Sequence, residues 1–458
     1  PETSRARFEQ ELEARLAQVE AQMAEETTLQ GRVTLMEELI AGAFPWLLPR
    51  FVSRFAVAMG TLNLLLHTER GLPGGEGQAL TLTRGLPHNV TTEMDLALWK
   101  TAQVIRADPA ALEHVRQGEP GTLAAEALAG RLPGAAQEAL DAFLARYGMR
   151  GVGEIDLGRP RWRENPEPVV QALQSYLQIE DPEQVPDAVC ARGVTAAQEA
   201  LEEMVEAARA TRAGRFKARR VRWAARRMRA LAGLRESPKF WVIRTMGLVR
   251  AALLESGGDL VEAGVLDRAD DLFFLTLQDL RALAAREEGD WRALVGERRE
   301  AYAREERRSQ VPRLLLSDGE AFYEGVTSST EEREGVLAGS PVSPGVVEGR
   351  VRVVLDPHAA KLAPGEILVC PGTDPAWTPL FLAAGGLVME VGGLMTHGSV
   401  VAREYGIPAV VGVTRASERL KTGQRVRVDG TAGRVTVLDE GKAEDSDRLN
   451  TGVAEVGL

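Results

Sequence analysis

One histidine of this sequence lies in a glycine-framed segment that suits covalent chemistry. Residues 392–412 read GGLMTHGSVVAREYGIPAVVG, and Thr396 is a plausible N-cap that places His397 in the first turn of a helix. A neutral imidazole is a competent nucleophile near pH 7, and the amides and dipole of a helix start favour a bound phosphate. The small residues Gly398 and Ser399 leave room for a bulky phosphate donor. The segment predicts a histidine that carries a phosphoryl group.

An isolated histidine of this kind is more often a cap or a surface residue. Here the whole 21-residue string resembles the phosphohistidine motif of the phosphoenolpyruvate-utilising enzyme family. The resemblance continues upstream through SPVSPGVVEGRVRVV and PGEILVCPGTDPAWTPLF. It implies a C-terminal β/β/α swivelling domain in which His397 is catalytic, with Thr396, Gly398 and Ser399 around it. Because Thr396 directly precedes the histidine, the motif is most similar to the rifampicin phosphotransferase branch.

Three further strings resemble the acceptor-binding region of that branch, namely GLPHNVTTEMDLALW, RYGMRGVGEIDLGRPRWRENP and LRESPKF. In the last, Pro238 suits the first turn of a helix. Arg235 and Lys239 lie on either side of that helix start and could converge on one anion, where a planar fork and a point charge suit a phosphoryl group. The plain alternative is a solvated pair of cations. The resemblance implies that both are catalytic, close to the phosphohistidine.

The segment 146–166 carries many charges of both signs between glycines. Such a density usually forms an ion-pair network that fixes a loop, and this is the favoured interpretation. The alternative is that Arg150, Glu154 and Arg161 line the acceptor pocket and bind or position the substrate.

The basic run 215–229 forms one helical stripe of arginines. It could bind phosphate or nucleic acid, but a net charge of −11 favours a solvated face matched by acidic helices. We therefore expect no nucleic-acid partner. No apolar stretch approaches the ~20 residues of a membrane span, and no signal peptide is evident, so we expect a cytoplasmic protein without membrane contact. Cys190 and Cys370 alone cannot form a metal cluster, and no histidine pair has metal-ligand spacing.

The elements that position these residues divide the sequence into a helical part and a part of mixed strands and helices. Helical periodicity dominates residues 1–335, beginning with helices over 1–45 and 51–69, and predicts a helical acceptor-binding domain. Short strands and helices alternate over 336–440, and 441–458 reads as a polar tail. We expect an α+β multidomain protein with a mostly α-helical N-terminal domain and the C-terminal swivelling domain.

The resemblance also implies an ATP-grasp domain that phosphorylates the histidine, and these residues contain no sequence that fits one. We expect this chain itself to bind no cofactor, so that ATP and Mg²⁺ act through an ATP-grasp domain upstream or in a separate chain. The implied function is a phosphotransferase of the dikinase type that passes a phosphoryl group from ATP through His397 to a small-molecule acceptor. A phosphocarrier subunit and a non-catalytic ligand-binding homologue are the alternatives. Rifamycin, pyruvate and other hydroxyl compounds remain open as acceptors.

Overall fold

The computed structural model describes residues 1–73, 77–179, 181–182, 185–307, 314–322, 335–355, 362–373, 377–393 and 396–439. The predicted polar tail lies outside these residues. The helices are α1 (Glu2–Glu25), α2 (Leu29–Glu69), α3 (Gln78–Thr81), α4 (Val90–Ala107), α5 (Pro109–Gln117), α6 (Pro120–Leu128), α7 (Gly134–Tyr147), α8 (Glu167–Leu177), α9 (Pro186–Arg209), α10 (Gly214–Ala232), α11 (Ser237–Glu262), α12 (Leu277–Ala284), α13 (Trp291–Glu306), α14 (Thr378–Ala383), α15 (His397–Tyr405) and α16 (Ala416–Arg419). Two 3₁₀ helices span Gly233–Glu236 and Ala269–Phe274.

The strands are β1 (Leu314–Leu315), β2 (Ala321–Phe322), β3 (Val336–Ala338), β4 (Ser340–Ser343), β5 (Val346–Val353), β6 (Ile367–Cys370), β7 (Gly386–Met389), β8 (Ala409–Val411), β9 (Arg425–Asp429) and β10 (Arg434–Asp439). The α+β multidomain class is confirmed. By internal contacts the chain divides into a first unit, 1–182 with 194–323, and a second unit, 183–193 with 324–458. The predicted boundary at residue 335 stays a prediction, because 323–334 are outside the described residues.

Helix α2 differs from the prediction of two helices separated near residue 50. It runs without interruption through Pro45 and Pro49, although proline in a helix interior removes a backbone hydrogen bond. Its N-cap Thr28 accepts a hydrogen bond from the amide of Gly31 at 3.0 Å. The apolar side chains of its second half, including Leu62 and Leu65, pack against α10 in the core of the first unit. This packing outweighs the local helix-breaking preference.

The second unit is built on an eight-stranded mixed sheet in the order β3-β10-β9-β5-β6-β7-β8-β4. The four strands β5, β6, β7 and β8 pair with one another in parallel. The remaining pairs are antiparallel, namely β8 with β4, β5 with β9, β9 with β10, and β10 with β3. Parallel strands are usually covered on both faces, and every residue of β6, β7 and β8 is buried.

Alternate residues of the central strands belong to two different cores. Ile367 and Val369 pack with the apolar residues of β9 and β10. Leu368 and Cys370 pack with α14 and with Val401 and Ala402 of α15. Because successive side chains of a strand point to opposite faces, this alternation fixes the register of the sheet. The helix that begins at His397 is therefore held against one face of the sheet by its own apolar residues.

Candidate functional site

The backbone of α15 begins at His397, as the motif predicted, and Thr396 is its N-cap residue. The side chain of His397 lies outside what the structure describes. Thr396 does not cap the helix through its hydroxyl: Oγ1 donates to the carbonyl of Gly393 at 2.9 Å and lies 3.0 Å from Ser399 Oγ. The first helical hydrogen bond runs from the amide of Val400 to the carbonyl of Thr396 at 3.1 Å. The hydroxyl of Thr396 thus does not cap the first-turn amides.

Gly398 and Ser399 are small for a reason that the sequence did not reveal. Ser399 is fully buried, and a Cβ on Gly398 would lie 2.4 Å from Thr373 Oγ1 and 2.8 Å from Met389 Sδ. Real Cβ atoms essentially never approach other atoms so closely. Close packing inside the second unit therefore already requires a glycine at position 398. That these small residues also leave room for a phosphate donor stays a prediction.

Gly398→Ala is expected to destabilise the second unit by about 1–3 kcal/mol through overpacking. Thr373→Ala in the same chain should recover much of the loss, because it removes the nearest atom. The free energy of urea unfolding, measured for the parent, the two single variants and the double variant, gives this coupling. Gly372→Ala is the matched control, since a Cβ there meets nothing within 4 Å. A Gly398→Ala chain as stable as the parent would contradict the packing argument.

Arg150, Glu154 and Lys239 form an ion-pair cluster in the first unit. Arg150 donates to both carboxylate oxygens of Glu154, at 3.0 and 2.9 Å, and Lys239 Nζ lies 3.0 Å from Glu154 Oε1. Arg150 and Glu154 are buried, while Lys239 is partly exposed. Burial opposes ionisation of Glu154, but Arg150 and then Lys239 outweigh it and lower its pKa. The network interpretation of this loop fits the geometry, and the network reaches a predicted catalytic residue.

Arg161 lies in the same loop and is 1% exposed. Its Nη2 donates to the carbonyl of Asp156 at 3.3 Å, and its pKa is lowered by burial and then by the charge of Arg250. Arg250 on α11 binds Glu164 through hydrogen bonds of 2.8 to 3.0 Å and donates to the carbonyl of Leu157 at 2.6 Å. Arg250 was missed by the sequence analysis, because nothing local distinguishes it from other helix arginines.

Arg235 and Lys239 form ion pairs with different carboxylates in the part of the chain that the structure describes. Arg235 lies in the 3₁₀ helix before α11 and pairs with its neighbour Glu236, whereas Lys239 pairs with Glu154. Pro238 is in the first turn of α11, as predicted. The two cations therefore flank the start of one helix, and the hypothesis that they meet a common anion remains a prediction.

The arginine stripe on α10 is largely engaged within the first unit. Arg222 pairs with Glu202 at 2.8 Å and Arg226 with Glu2 at 3.1 Å. Arg229 donates to three backbone carbonyls of the segment 82–85 at 2.7 to 2.9 Å. For Arg222 the interpretation of a face matched by an acidic helix is confirmed, whereas Arg229 fixes a loop.

An apolar cavity of about 280 Å³ lies in the first unit between α2, the 155–157 segment and α11. Its lining includes Phe44, Leu47, Trp241 and Met246. The 155–157 segment, which also lines it, directly follows Glu154 in the sequence. Thr245 also lines it; this residue is 7% exposed, and its hydroxyl has no hydrogen-bond partner among the described residues. Apolar cavities with a few polar groups are typical small-molecule sites. Sequence reasoning missed this cavity, because three distant segments form it.

In the described ranges, no three His, Cys, Asp or Glu side chains are grouped as metal ligands. None of the helices in those ranges is both long enough and apolar enough to cross a membrane. Cys370 is buried at the end of β6, and burial raises the pKa of its thiol.

Comparison with known families decides where this arrangement belongs. Residues 362–433, which include His397, match the family described as "PEP-utilising enzyme, mobile domain". Residues 48–236 match "Rifampicin phosphotransferase fourth domain". The chain belongs to the phosphoenolpyruvate-utilising enzyme family. Within this family it is rifampicin phosphotransferase-like, as the motifs suggested. The second match contains Arg150, Glu154, Arg161 and Arg235, and ends shortly before Lys239.

Similar members of the family include two proteins named rifampicin phosphotransferase. That of Streptomyces sviceus is 42% identical over 367 residues, and that of Bacillus subtilis 37% identical over 369 residues. Each alignment covers 80% of this chain and 42% of the relative, so the chain spans about two fifths of the length of these relatives. The prodigiosin synthesizing transferase PigC of Serratia marcescens is 29% identical over 315 residues, which cover 68% of this chain and 34% of that protein.

Proposed function

We propose that this chain is the acceptor-binding and phosphocarrier part of a phosphotransferase of the dikinase type. The supporting observation is that one chain joins a mobile-domain match around His397 to a match with a rifampicin phosphotransferase domain. Neither match alone would indicate both a carrier and an acceptor site. The ATP-grasp domain that loads the histidine, with its ATP and Mg²⁺, would lie outside these 458 residues, upstream or in a separate cytoplasmic chain.

Two displacements at phosphorus form and break the bond to His397. In the first, a nitrogen of His397 forms a P–N bond as a P–O bond of the donor breaks. In the second, the acceptor hydroxyl attacks the phosphohistidine, the P–N bond breaks, and the hydroxyl proton is lost as the P–O bond forms. With ATP as donor and AMP as leaving group, His397 first receives a pyrophosphoryl group, and water must cleave the P–O–P bond of that group and release phosphate before the second displacement. The sum is then ATP, acceptor and water giving AMP, phosphate and phosphorylated acceptor. Such transfers depend mainly on positioning and on positive charge near the phosphoryl oxygens.

The first unit has features that suit both requirements of phosphoryl transfer, the positioning of an acceptor and a positive charge near the phosphoryl oxygens. The apolar cavity would hold the body of a small hydroxyl compound, and the unpartnered hydroxyl of Thr245 would meet a polar group on it. Lys239 lies six positions before Thr245 on α11, or roughly 9 Å along the axis. Its exposed ammonium group could therefore reach a phosphoryl group above an acceptor in the cavity. We propose an acceptor that is largely apolar, as rifamycins are.

Lys239→Ala is expected to lower delivery to the acceptor by about 100-fold, the usual effect of removing one charge-stabilising donor, and Arg235→Ala should act in the same step. Loading of His397 should change by less than twofold, because both cations belong to the first unit. The test preloads the chain with labelled phosphate, using a separately prepared ATP-grasp domain of a relative, and then adds rifampicin.

Lys100→Ala and Arg219→Ala are the matched controls, since both residues are exposed on helices of the same unit. The chain alone with labelled ATP gives the background and should stay unlabelled. Equal losses of loading and delivery in the Lys239 variant would contradict its assignment to the second step. Failure of the parent chain to become loaded on histidine would contradict the proposed function itself.

A further inference from the structure

Arg161 is a buried cation that contacts no carboxylate directly within the described residues, although the charges of Glu154, Glu164 and Asp156 act on it from a greater distance. It is 1% exposed, and its Nε and Nη1 groups donate no hydrogen bond to any residue that the structure describes. Its Nη2 makes a single long bond of 3.3 Å to the carbonyl of Asp156. Within the described residues, no carboxylate forms a salt bridge with it. Fully buried arginines almost always have a charged partner, because an uncompensated buried charge is costly.

A second buried arginine beside it is also incompletely paired. Arg150 donates from Nε and Nη2 to Glu154, but its buried Nη1 has no hydrogen-bond partner in the described ranges. The backbones of the two arginines run close together: the amide of Trp162 donates to the carbonyl of Arg150 at 2.7 Å. A Cβ on Gly151 would lie 2.6 Å from the carbonyl of Pro160, so only glycine permits this approach. Three guanidinium nitrogens thus lack partners in one packed region.

The charges of this region do not balance. Arg150, Arg161 and Lys239 are positive, and the carboxylate of Glu154 is shared between two of them. The nearby Arg250 is compensated by Glu164. The charges that act on Arg161 include those of Arg250 and of the carboxylates of Glu154, Glu164 and Asp156. Four cations against three carboxylates leave an excess of one positive charge. A phosphate group at pH 7 carries roughly −1.5 to −2, and its oxygens match the fork of an arginine.

We propose that Arg161 and Arg150 form a phosphate-binding subsite in the first unit, next to Lys239. The proposal deepens the proposed function and rests on it for the source of the ligand, which is either the phosphoryl group under transfer or free phosphate. The unpaired nitrogens Nε and Nη1 of Arg161 and Nη1 of Arg150 donate to the phosphate oxygens. Arg161 therefore contributes to phosphate binding and not to the stability of the ligand-free chain.

The test titrates the purified chain with sodium phosphate, against sodium chloride at equal ionic strength, and follows the midpoint of thermal unfolding. A saturable, phosphate-specific rise is expected for the parent chain. Arg161→Met should weaken phosphate binding at least tenfold, whereas Arg163→Met, an exposed arginine of the same loop, should leave it within twofold. The Met variant should unfold at the same or a higher temperature without phosphate, since it removes an unpaired charge.

Absence of a specific phosphate effect in the parent chain, or an undiminished effect in the Arg161→Met chain, overturns the proposal. If the Met variant does not fold, Arg161→Lys takes its place: it keeps the charge but loses the fork, and it should still weaken binding at least fivefold. Titration of the unloaded chain does not involve His397, so phosphate binding and the relay can fail separately. Adding phosphate to the delivery assay identifies the source: competition shows that the transferred group occupies the subsite, and binding without competition shows that it takes free phosphate.

Discussion

His397→Ala should abolish phosphoryl transfer in a system reconstituted with an ATP-grasp domain. The variant has no imidazole to form the P–N bond, and the neighbouring hydroxyls of Thr396 and Ser399 hydrogen-bond each other and have high pKa values as free groups. Neither can replace a nucleophile that is neutral near pH 7. Alanine is the best helix former and His397 is the first residue of α15, so circular dichroism should show an unchanged fold.

The measurement is the mapping of label on the loaded chain together with turnover of the acceptor. The parent should carry an acid-labile, base-stable phosphoramidate on residue 397. His67→Ala, at an exposed position on α2, is the control and should be loaded normally. Label on Ser399 or Thr396, or turnover that survives in the His397→Ala chain, would rule out the relay.

Glu154→Gln should destabilise the first unit by about 3–5 kcal/mol at pH 7, the usual cost of removing one partner from a buried ion pair. The change leaves Arg150 buried with only an amide as partner and removes the ion pair to Lys239. Glu202→Gln is the matched control, because its pair with Arg222 is exposed and contributes no more than ~1 kcal/mol. Denaturant unfolding of the three chains measures the difference.

The pH dependence identifies the charge as the cause. The pKa of Glu154 is lower in the folded chain than its ordinary value of 4.5. Its contribution is therefore complete above pH 4.5 and is lost as the pH falls through the folded-state pKa. The stability difference between the parent and Glu154→Gln should be constant from pH 7 to about 5 and should shrink at lower pH. A difference that persists unchanged at pH 3 would show that packing, and not charge, is responsible.

Local signals were sufficient for the parts of the site that lie within one element. Thr396 and the glycines around it predicted the start of α15, and Pro238 predicted the first turn of α11. Each of these signals depends only on neighbouring backbone conformation, which a short sequence specifies. The change from helical periodicity to short valine-rich strands likewise predicted the mixed second unit.

Contacts between distant segments could not be predicted in this way. Arg235 and Lys239 lie close together at the start of α11, yet they pair with different carboxylates. Lys239 forms its ion pair with Glu154 only because the 148–164 loop packs against α11. The sequence suggested open space beside Gly398, because the side chain that lies there, Thr373, belongs to a distant loop. In α2, tertiary packing outweighs two prolines that predict a break. In each case the deciding atom is far away in the sequence.

The two-sided burial of β6, β7 and β8 has a consequence for hydrogen exchange. Backbone amides in strands covered on both faces exchange mainly when the whole unit opens, so these strands should form its slowest-exchanging core. Val401 and Ala402 attach α15 directly to that core. Deuterium uptake should therefore be slow along the body of α15 and faster at its first turn, where His397 lies and where the Thr396 hydroxyl caps no amide. The proposed nucleophile would then lie at the more rapidly exchanging start of a helix whose body is anchored to a core that opens only when the whole unit unfolds.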